Sequence, residues 1–274
     1  MSNMIIGIHG LSNKPAPEVL EEGWKKAILE GLQKNEGIDI TSLNFSSVYW
    51  ADVMYKKYDP KPDLYHEAAE GALKTYKEGW LDAVREKTFD WAGDIIDGMK
   101  KHFGMDAMAD EVLEKKLQDL SRYYEENAVR TTLRKRLRDA ILNNQKNRLM
   151  ILSHSMGTII AYDVLRDIGK EFPRLIVDHF VTMGSPLGLP HVRHKIALEN
   201  PLVRTPSVVK KWSNFADKRD PVAMDVHLSD DYEPNDYGVR PEDDIVANDW
   251  GGINHKSYGY LRTPEVSKVI KNFI

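Results

Sequence analysis

Ser155 lies in Ile151-Leu152-Ser153-His154-Ser155-Met156-Gly157-Thr158, a run that passes from apolar residues through small polar ones and back to Ile159-Ile160-Ala161. A serine hydroxyl is a weak nucleophile until a base takes its proton, and the base needs a third group to orient it. A nucleophile raised on a sharp strand–turn–helix follows the pattern Gly-x-Ser-x-Gly, because residues two before and two after the serine must be small. Here those residues are Ser153 and Gly157, so Ser153 replaces the first glycine. His154 directly precedes the serine, and on such a turn its ring points away from Ser155. It is expected as pocket wall or buried hydrogen-bonder, not as the base. Taken alone, the string also fits an ordinary strand-to-helix turn.

A second run, Ile8-His9-Gly10-Leu11, offers what an acyl-transfer site needs opposite its nucleophile. A glycine lets the backbone approach a substrate closely. The backbone N–H groups of Leu11 and Met156 could then hold a developing oxyanion, a contribution of roughly 3 kcal/mol per donor. His9, Gly10 and His154 are the expected substrate-contacting residues around them. Two carboxylates, Asp217 and Asp220, compete as orienting acid in Asn214-Phe215-Ala216-Asp217-Lys218-Arg219-Asp220-Pro221-Val222, a segment that also fits a solvated turn. His191 and His194 have the i, i+3 spacing of a metal pair, but no H-E-x-x-H or comparable set accompanies them, so neither metal nor cofactor is expected.

These residues need elements to hold them. Met4 to Ile8 reads as a buried strand, Glu18 to Lys34 as a helix, and Ile38 to Trp50 as strand-like. From Asp63 to Asn144 no strand signal appears. Leu64, Ala68, Ala69, Leu73, Tyr76, Trp80, Val84, Ala92, Ile95 and Met99 recur at helical spacing, and further helices are predicted over about 106–126 and 129–143. Alternation then resumes: strand 148–152, helix 157–168, strand 175–183 ending in Gly184-Ser185-Pro186, strand 208–215, a weak strand at 245–247, and a last helix from about Thr263 with Pro264 in its first turn. Alternating strands and helices imply an α/β fold, a mostly parallel sheet covered by helices on both faces. Chemistry in such a sheet sits at the carboxyl ends of the strands, which is where Gly10, Ser155 and the Asp217–Asp220 loop fall.

In this combination the chain resembles the alpha/beta-hydrolase superfamily, and within it the lipase/esterase-like serine hydrolases. The resemblance rests on His9-Gly10-Leu11, Ser153-His154-Ser155-Met156-Gly157, Thr182-Met183-Gly184-Ser185-Pro186-Leu187, Asp220-Pro221-Val222 and His255. It covers all but the helical stretch. The family order places the acid and then the base after the serine. The Asp-Pro-Val turn favours Asp220 over Asp217, and His255, in a glycine-flanked loop before the last helix, favours itself over His227, which follows the acid too soon. The resemblance thus implies Ser155 as nucleophile, His255 as base and Asp220 as orienting acid. It implies an acyl-enzyme formed from a small-molecule acyl ester. Thioesters or amides on the same triad, or a non-catalytic binding protein of the same fold, are the alternatives. The family's two leading strands have no counterpart before Met4, which implies a sheet trimmed to about six strands.

The 274 residues are enough for one alpha/beta-hydrolase domain, 1–274, with a helical insertion at 63–126. That insertion is expected to cap the site as a lid, with Trp80, Phe89, Trp91, Met99 or Met105 meeting an apolar acyl group, unless these residues pack only among themselves or against a second copy in a homo-oligomer. A formal net charge of -4 supplies no positive field for a nucleic acid. The chain has no cysteine, no run of the roughly 20 apolar residues a membrane span needs, and no secretory signal at its start, so a cytoplasmic location is expected.

Overall fold

The computed structural model describes residues 2–77, 119–223, 225–252 and 254–274. Its centre is a six-stranded, all-parallel sheet in the order β2-β1-β3-β4-β5-β6. The strands are β1 (Asn3–Ile8), β2 (Phe45–Val48), β3 (Arg148–His154), β4 (His179–Met183), β5 (Trp212–Ala216) and β6 (Pro241–Ile245). The helices are α1 (Pro17–Glu36), α2 (Ala51–Met54), α3 (Asn127–Asn143), α4 (Met156–Glu171), α5 (Pro190–Glu199), α6 (Ser257–Leu261) and α7 (Pro264–Phe273), and residues 119–125 are helical as well.

The apolar runs of β1 and β3 make sense because both faces of the sheet are covered. Successive strand residues point to opposite sides. Leu149 and Ile151 pack with Leu133, Leu137, Ile159 and Ile160 of α3 and α4. Met150 and Leu152 pack with Trp24, Ile28, Leu261 and Ile270 of α1, α6 and α7. The register keeps the carboxyl ends of the central strands level: Ile8 is opposite Ser153, His154 opposite Met183, and Met183 opposite Phe215. The loops after β1, β3, β4 and β5 therefore emerge side by side.

Three expectations need correction. The weak strand at 245–247 lies earlier, at Pro241–Ile245. It is an edge strand, which tolerates Pro at its first position and charges on its open face. Its Asp243 is held by the Asn214 side chain (2.9 Å) and by the N–H groups of Leu228 and Ser229. The strand-like stretch from Ile38 shortens to Phe45–Val48, as the expected strands 175–183 and 208–215 shorten to His179–Met183 and Trp212–Ala216. The helical stripe does not form a helix over 64–77, which is irregular. There the chain is captured by other elements: Tyr65 donates to Glu30 Oε2 (2.7 Å), the Ala68 N–H to Glu30 Oε1 (2.8 Å), and Arg262 to the His66 carbonyl (2.7 Å). Tertiary partners for backbone groups override a modest helical preference. The remainder of the expected insertion up to 118, with Trp80, Phe89, Trp91, Met99 and Met105, lies outside the described residues.

Candidate active site

Ser155 joins β3 to α4 with φ 54° and ψ −132°, a region sparsely populated by residues other than glycine. Such a conformation costs about 1–3 kcal/mol and persists only where its surroundings enforce it. The enforcement is visible. The Ser155 N–H donates to the Met183 carbonyl (3.0 Å), and the Thr158 hydroxyl and N–H both donate to the Ser155 carbonyl (2.7 and 2.9 Å). A Cβ on Gly157 would lie 2.6 Å from the Ile8 carbonyl oxygen, so only glycine fits two residues past the serine. Ser153, two before it, is buried with its hydroxyl donating to the Val181 carbonyl (2.7 Å), which explains how serine replaces the usual glycine there.

The serine hydroxyl lies 2.9 Å from His255 Nε2, and His255 Nδ1 lies 2.7 Å from Asp220 Oδ2. With Nδ1–H donating to the carboxylate, Nε2 carries the lone pair that accepts from the serine. All three side chains are nearly removed from solvent: Ser155 and Asp220 are 1% exposed and His255 7%. Asp220 is held from both sides, its Oδ1 accepting the Val222 N–H (2.8 Å) and its Oδ2 the Tyr260 hydroxyl (2.7 Å). Asp217 points elsewhere. It accepts from the Arg219 guanidinium and N–H, and from the Asn248 N–H at 2.7 Å. Asn248 in turn anchors the His255 loop, accepting from the Asn254 side chain (2.8 Å) and donating to the Lys256 carbonyl (2.9 Å). That loop needs left-handed backbone at Gly251, Gly252 and Asn254, residue types that tolerate it. His227 is exposed at the start of a short 3-10 turn.

Leu11 lines the same cavity as Ser155, and Met156 follows the serine directly. Met156 is the first residue of α4, where N–H groups have no intrahelical acceptor and the helix dipole is positive. His9 lines the cavity at Ser155, with both of its ring nitrogens bonded within the protein. Its Nδ1–H donates to the Gly10 carbonyl (2.8 Å), its Nε2 accepts the Trp50 N–H (3.0 Å), and its ring stacks on Trp50. Burial, with Lys14 adding repulsion, pushes the His9 ring well below the usual histidine range and keeps it neutral. Its role is to brace the loop. Ser12, next in that loop, has φ 73°. Its N–H donates to Asp119 Oδ2 (3.1 Å), an oxygen that also accepts the Tyr55 hydroxyl. The Lys14 ammonium donates to the Leu11 and Ser12 carbonyls.

The serine lines a cavity of about 510 Å³, together with His9, Gly10, Leu11, His154, Trp250, His255 and Tyr258. Its lining also carries charge, with Lys61, Asp59 and an Asp63–Lys256 ion pair (2.9 Å). A second cavity of about 610 Å³ lies beside Phe172 and Asp178, at the amino ends of the strands and away from this chemistry.

No family model and no curated protein matches this chain.

His191 and His194 both lie on α5, and among the described residues no group of three or more potential ligands could hold a metal ion. Nor is any described helix long and apolar enough to cross a membrane. Sequence reasoning missed three residues that shape the site: Tyr260, Asp119 and Asn248. None belongs to a motif, and each has a partner 31 or more positions away in sequence.

Proposed function

We propose that this protein is a serine hydrolase of the alpha/beta-hydrolase type that cleaves a carboxylic ester through an acyl-enzyme. The observation that carries the reading is the buried relay from Ser155 through His255 to Asp220, at 2.9 and 2.7 Å. Ser155 Oγ attacks the ester carbonyl carbon while His255 Nε2 takes the hydroxyl proton. The N–H groups of Leu11 and Met156 receive the negative charge that develops on the carbonyl oxygen. As the tetrahedral intermediate collapses, His255 returns the proton to the departing alcohol. A water then enters, loses a proton to His255 and attacks the acyl carbon; the second tetrahedral intermediate collapses as His255 returns that proton to Ser155 Oγ, releasing the carboxylic acid. Asp220 keeps the imidazole in the tautomer both half-reactions need and stabilises the imidazolium between them. Proton transfer by a positioned base contributes typically 10²–10⁴-fold.

The same groups would serve a thioester or an amide. The cavity lining combines Leu11, Leu20, Trp250 and Tyr258 with the charged Asp59, Lys61, Asp63 and Lys256, a mixture suited to an ester with an apolar part and a polar part. Turnover of a p-nitrophenyl ester series by wild type, Ser155→Ala and His255→Gln tests the reading. Hydrolysis by wild type alone is the expected result. Equal residual rates in all three would leave the cavity as a binding site without catalysis.

A further inference from the structure

Tyr260, on α6, places its hydroxyl 2.7 Å from Asp220 Oδ2, the same oxygen that faces His255 Nδ1 at 2.7 Å. We propose that Tyr260 is a positioning residue that sets the basicity of His255 by sharing the carboxylate oxygen to which that histidine donates. In its catalytic consequence the proposal rests on the serine-hydrolase reading.

The direction of the tyrosine proton is fixed. The Asp217 N–H donates to the Tyr260 hydroxyl oxygen at 3.0 Å, so the O–H is left to donate toward Asp220. The ring is fully buried and packs with Met183 and Phe215, where a hydroxyl is costly unless bonded. Burial, and then the neighbouring Asp220 charge, hold the phenol well above its ordinary range, so it remains a donor wherever the relay works. Space for the three groups comes from Gly184, at φ 54°. A Cβ there would lie 2.8 Å from Asp220 Oδ2, 3.0 Å from a Tyr260 ring carbon and 3.2 Å from His255 Nδ1. Any side chain at 184 would wedge the arrangement apart.

A hydrogen bond to a carboxylate spreads its charge and weakens its pull on a second donor. Without the Tyr260 hydroxyl, Asp220 would stabilise the His255 imidazolium more, and the ring would titrate at higher pH. Other charged or titratable groups lie on the elements around His255. His154 lies with its ring centroid 4.8 Å away, Asp217 sits behind Tyr260 with Arg219, and Lys256 follows in the chain, paired with Asp63. They are common to wild type and to variants at position 260, so a difference between those proteins reports on the tyrosine.

The test is an NMR titration of the His255 ring protons, assigned with His255→Gln, in wild type, Tyr260→Phe, and protein carrying 3-fluorotyrosine at position 260 alone. The fluorinated ring is a stronger donor of the same shape and keeps both hydrogen bonds, so it carries the test even if the phenylalanine variant does not fold. The midpoint should rise by roughly half a unit to one unit in Tyr260→Phe and fall with 3-fluorotyrosine. The ascending limb of the kcat/KM profile, which requires neutral His255, should move in the same directions. An unmoved His255 midpoint in the folded proteins would overturn the proposal and reduce Tyr260 to a packing residue. The titration reads out in a protein that hydrolyses nothing, so loss of the hydrolase reading and loss of this one are separate results.

Discussion

Gly10 lies against Ser155 so closely that a Cβ at position 10 would sit 2.5 Å from the serine Cβ and 3.0 Å from its Oγ. The loop carrying one expected oxyanion donor and the turn carrying the proposed nucleophile are thus packed backbone to side chain. Gly10→Ala must push one of them aside. Overpacking of this kind costs about 1–3 kcal/mol of stability. A displacement near 1 Å costs roughly 10²-fold in rate. Ester turnover should therefore fall at least about a hundredfold while circular dichroism and the melting transition still report a folded protein.

Asp217 and Asp220 lie three residues apart and do different work. Asp220→Asn should lower kcat by about 10⁴-fold, because the amide no longer fixes the imidazole tautomer. Asp217→Asn weakens the links to Arg219 and the Asn248 N–H, at a cost of about 1–3 kcal/mol in stability and little loss of rate. Steady-state kinetics and urea denaturation on both variants check this, and a larger rate loss in Asp217→Asn would move the acid to that residue.

Asp119 holds the Ser12 N–H in a left-handed backbone position one residue past Leu11. Asp119→Ala should release the loop and lower kcat roughly ten- to a hundredfold, with KM changed much less. A boronic acid that mimics the tetrahedral intermediate should lose affinity in parallel with kcat, and unchanged boronate affinity would separate Asp119 from the oxyanion donors.

His179 begins β4, buried, with Nε2 2.9 Å from the Ser213 hydroxyl. Burial, with Lys211 adding repulsion, lowers its ring from 6.5 to about 4. A histidine depressed in the folded state favours folding above the unfolded pKa, and that contribution is lost as pH falls from about 6.5 to about 4. The loss amounts to at most about 3 kcal/mol. His179→Gln should flatten the decline in unfolding free energy over that window, measured by urea titration at several pH values.

Arg262 is 1% exposed and pairs with Glu30 (3.1 Å) and Asp249 (2.9 Å) beneath Trp250. It ties α1, residues 65–68 and the wall of the cavity into one network. Arg262→Ala leaves Asp249 without this cation and Glu30 with Lys34 alone (2.6 Å), and stability should drop by about 3 kcal/mol in urea denaturation.

What could be read in the sequence follows from how local each signal is. Ser155 was legible because its turn is written within a few residues: an apolar strand, small neighbours, a helix start. The sheet was legible because Met4 to Ile8 and Leu149 to Leu152 are apolar on both faces, which only a covered parallel sheet requires. The division of labour between Asp217 and Asp220 was not legible from composition, since each is an aspartate in one loop and the partners that assign one to His255 and the other to Asn248 lie 31 to 40 residues away. β6 was misplaced because an edge strand does not need an apolar run. The stretch 64–77 carried helical spacing, yet Glu30 and Arg262 captured its backbone and side chains. Tyr260 carried no signal at all, because its partner is fixed only once α6 packs on the sheet.

The central claim is that Ser155 is an activated nucleophile, and reaction with a fluorophosphonate probe tests it most directly. The account predicts rapid labelling of wild type, mapped by peptide mass spectrometry to Ser155, with labelling abolished in Ser155→Ala and strongly slowed in His255→Gln. A well-folded wild type that takes no label, or label found on a different serine, would contradict it.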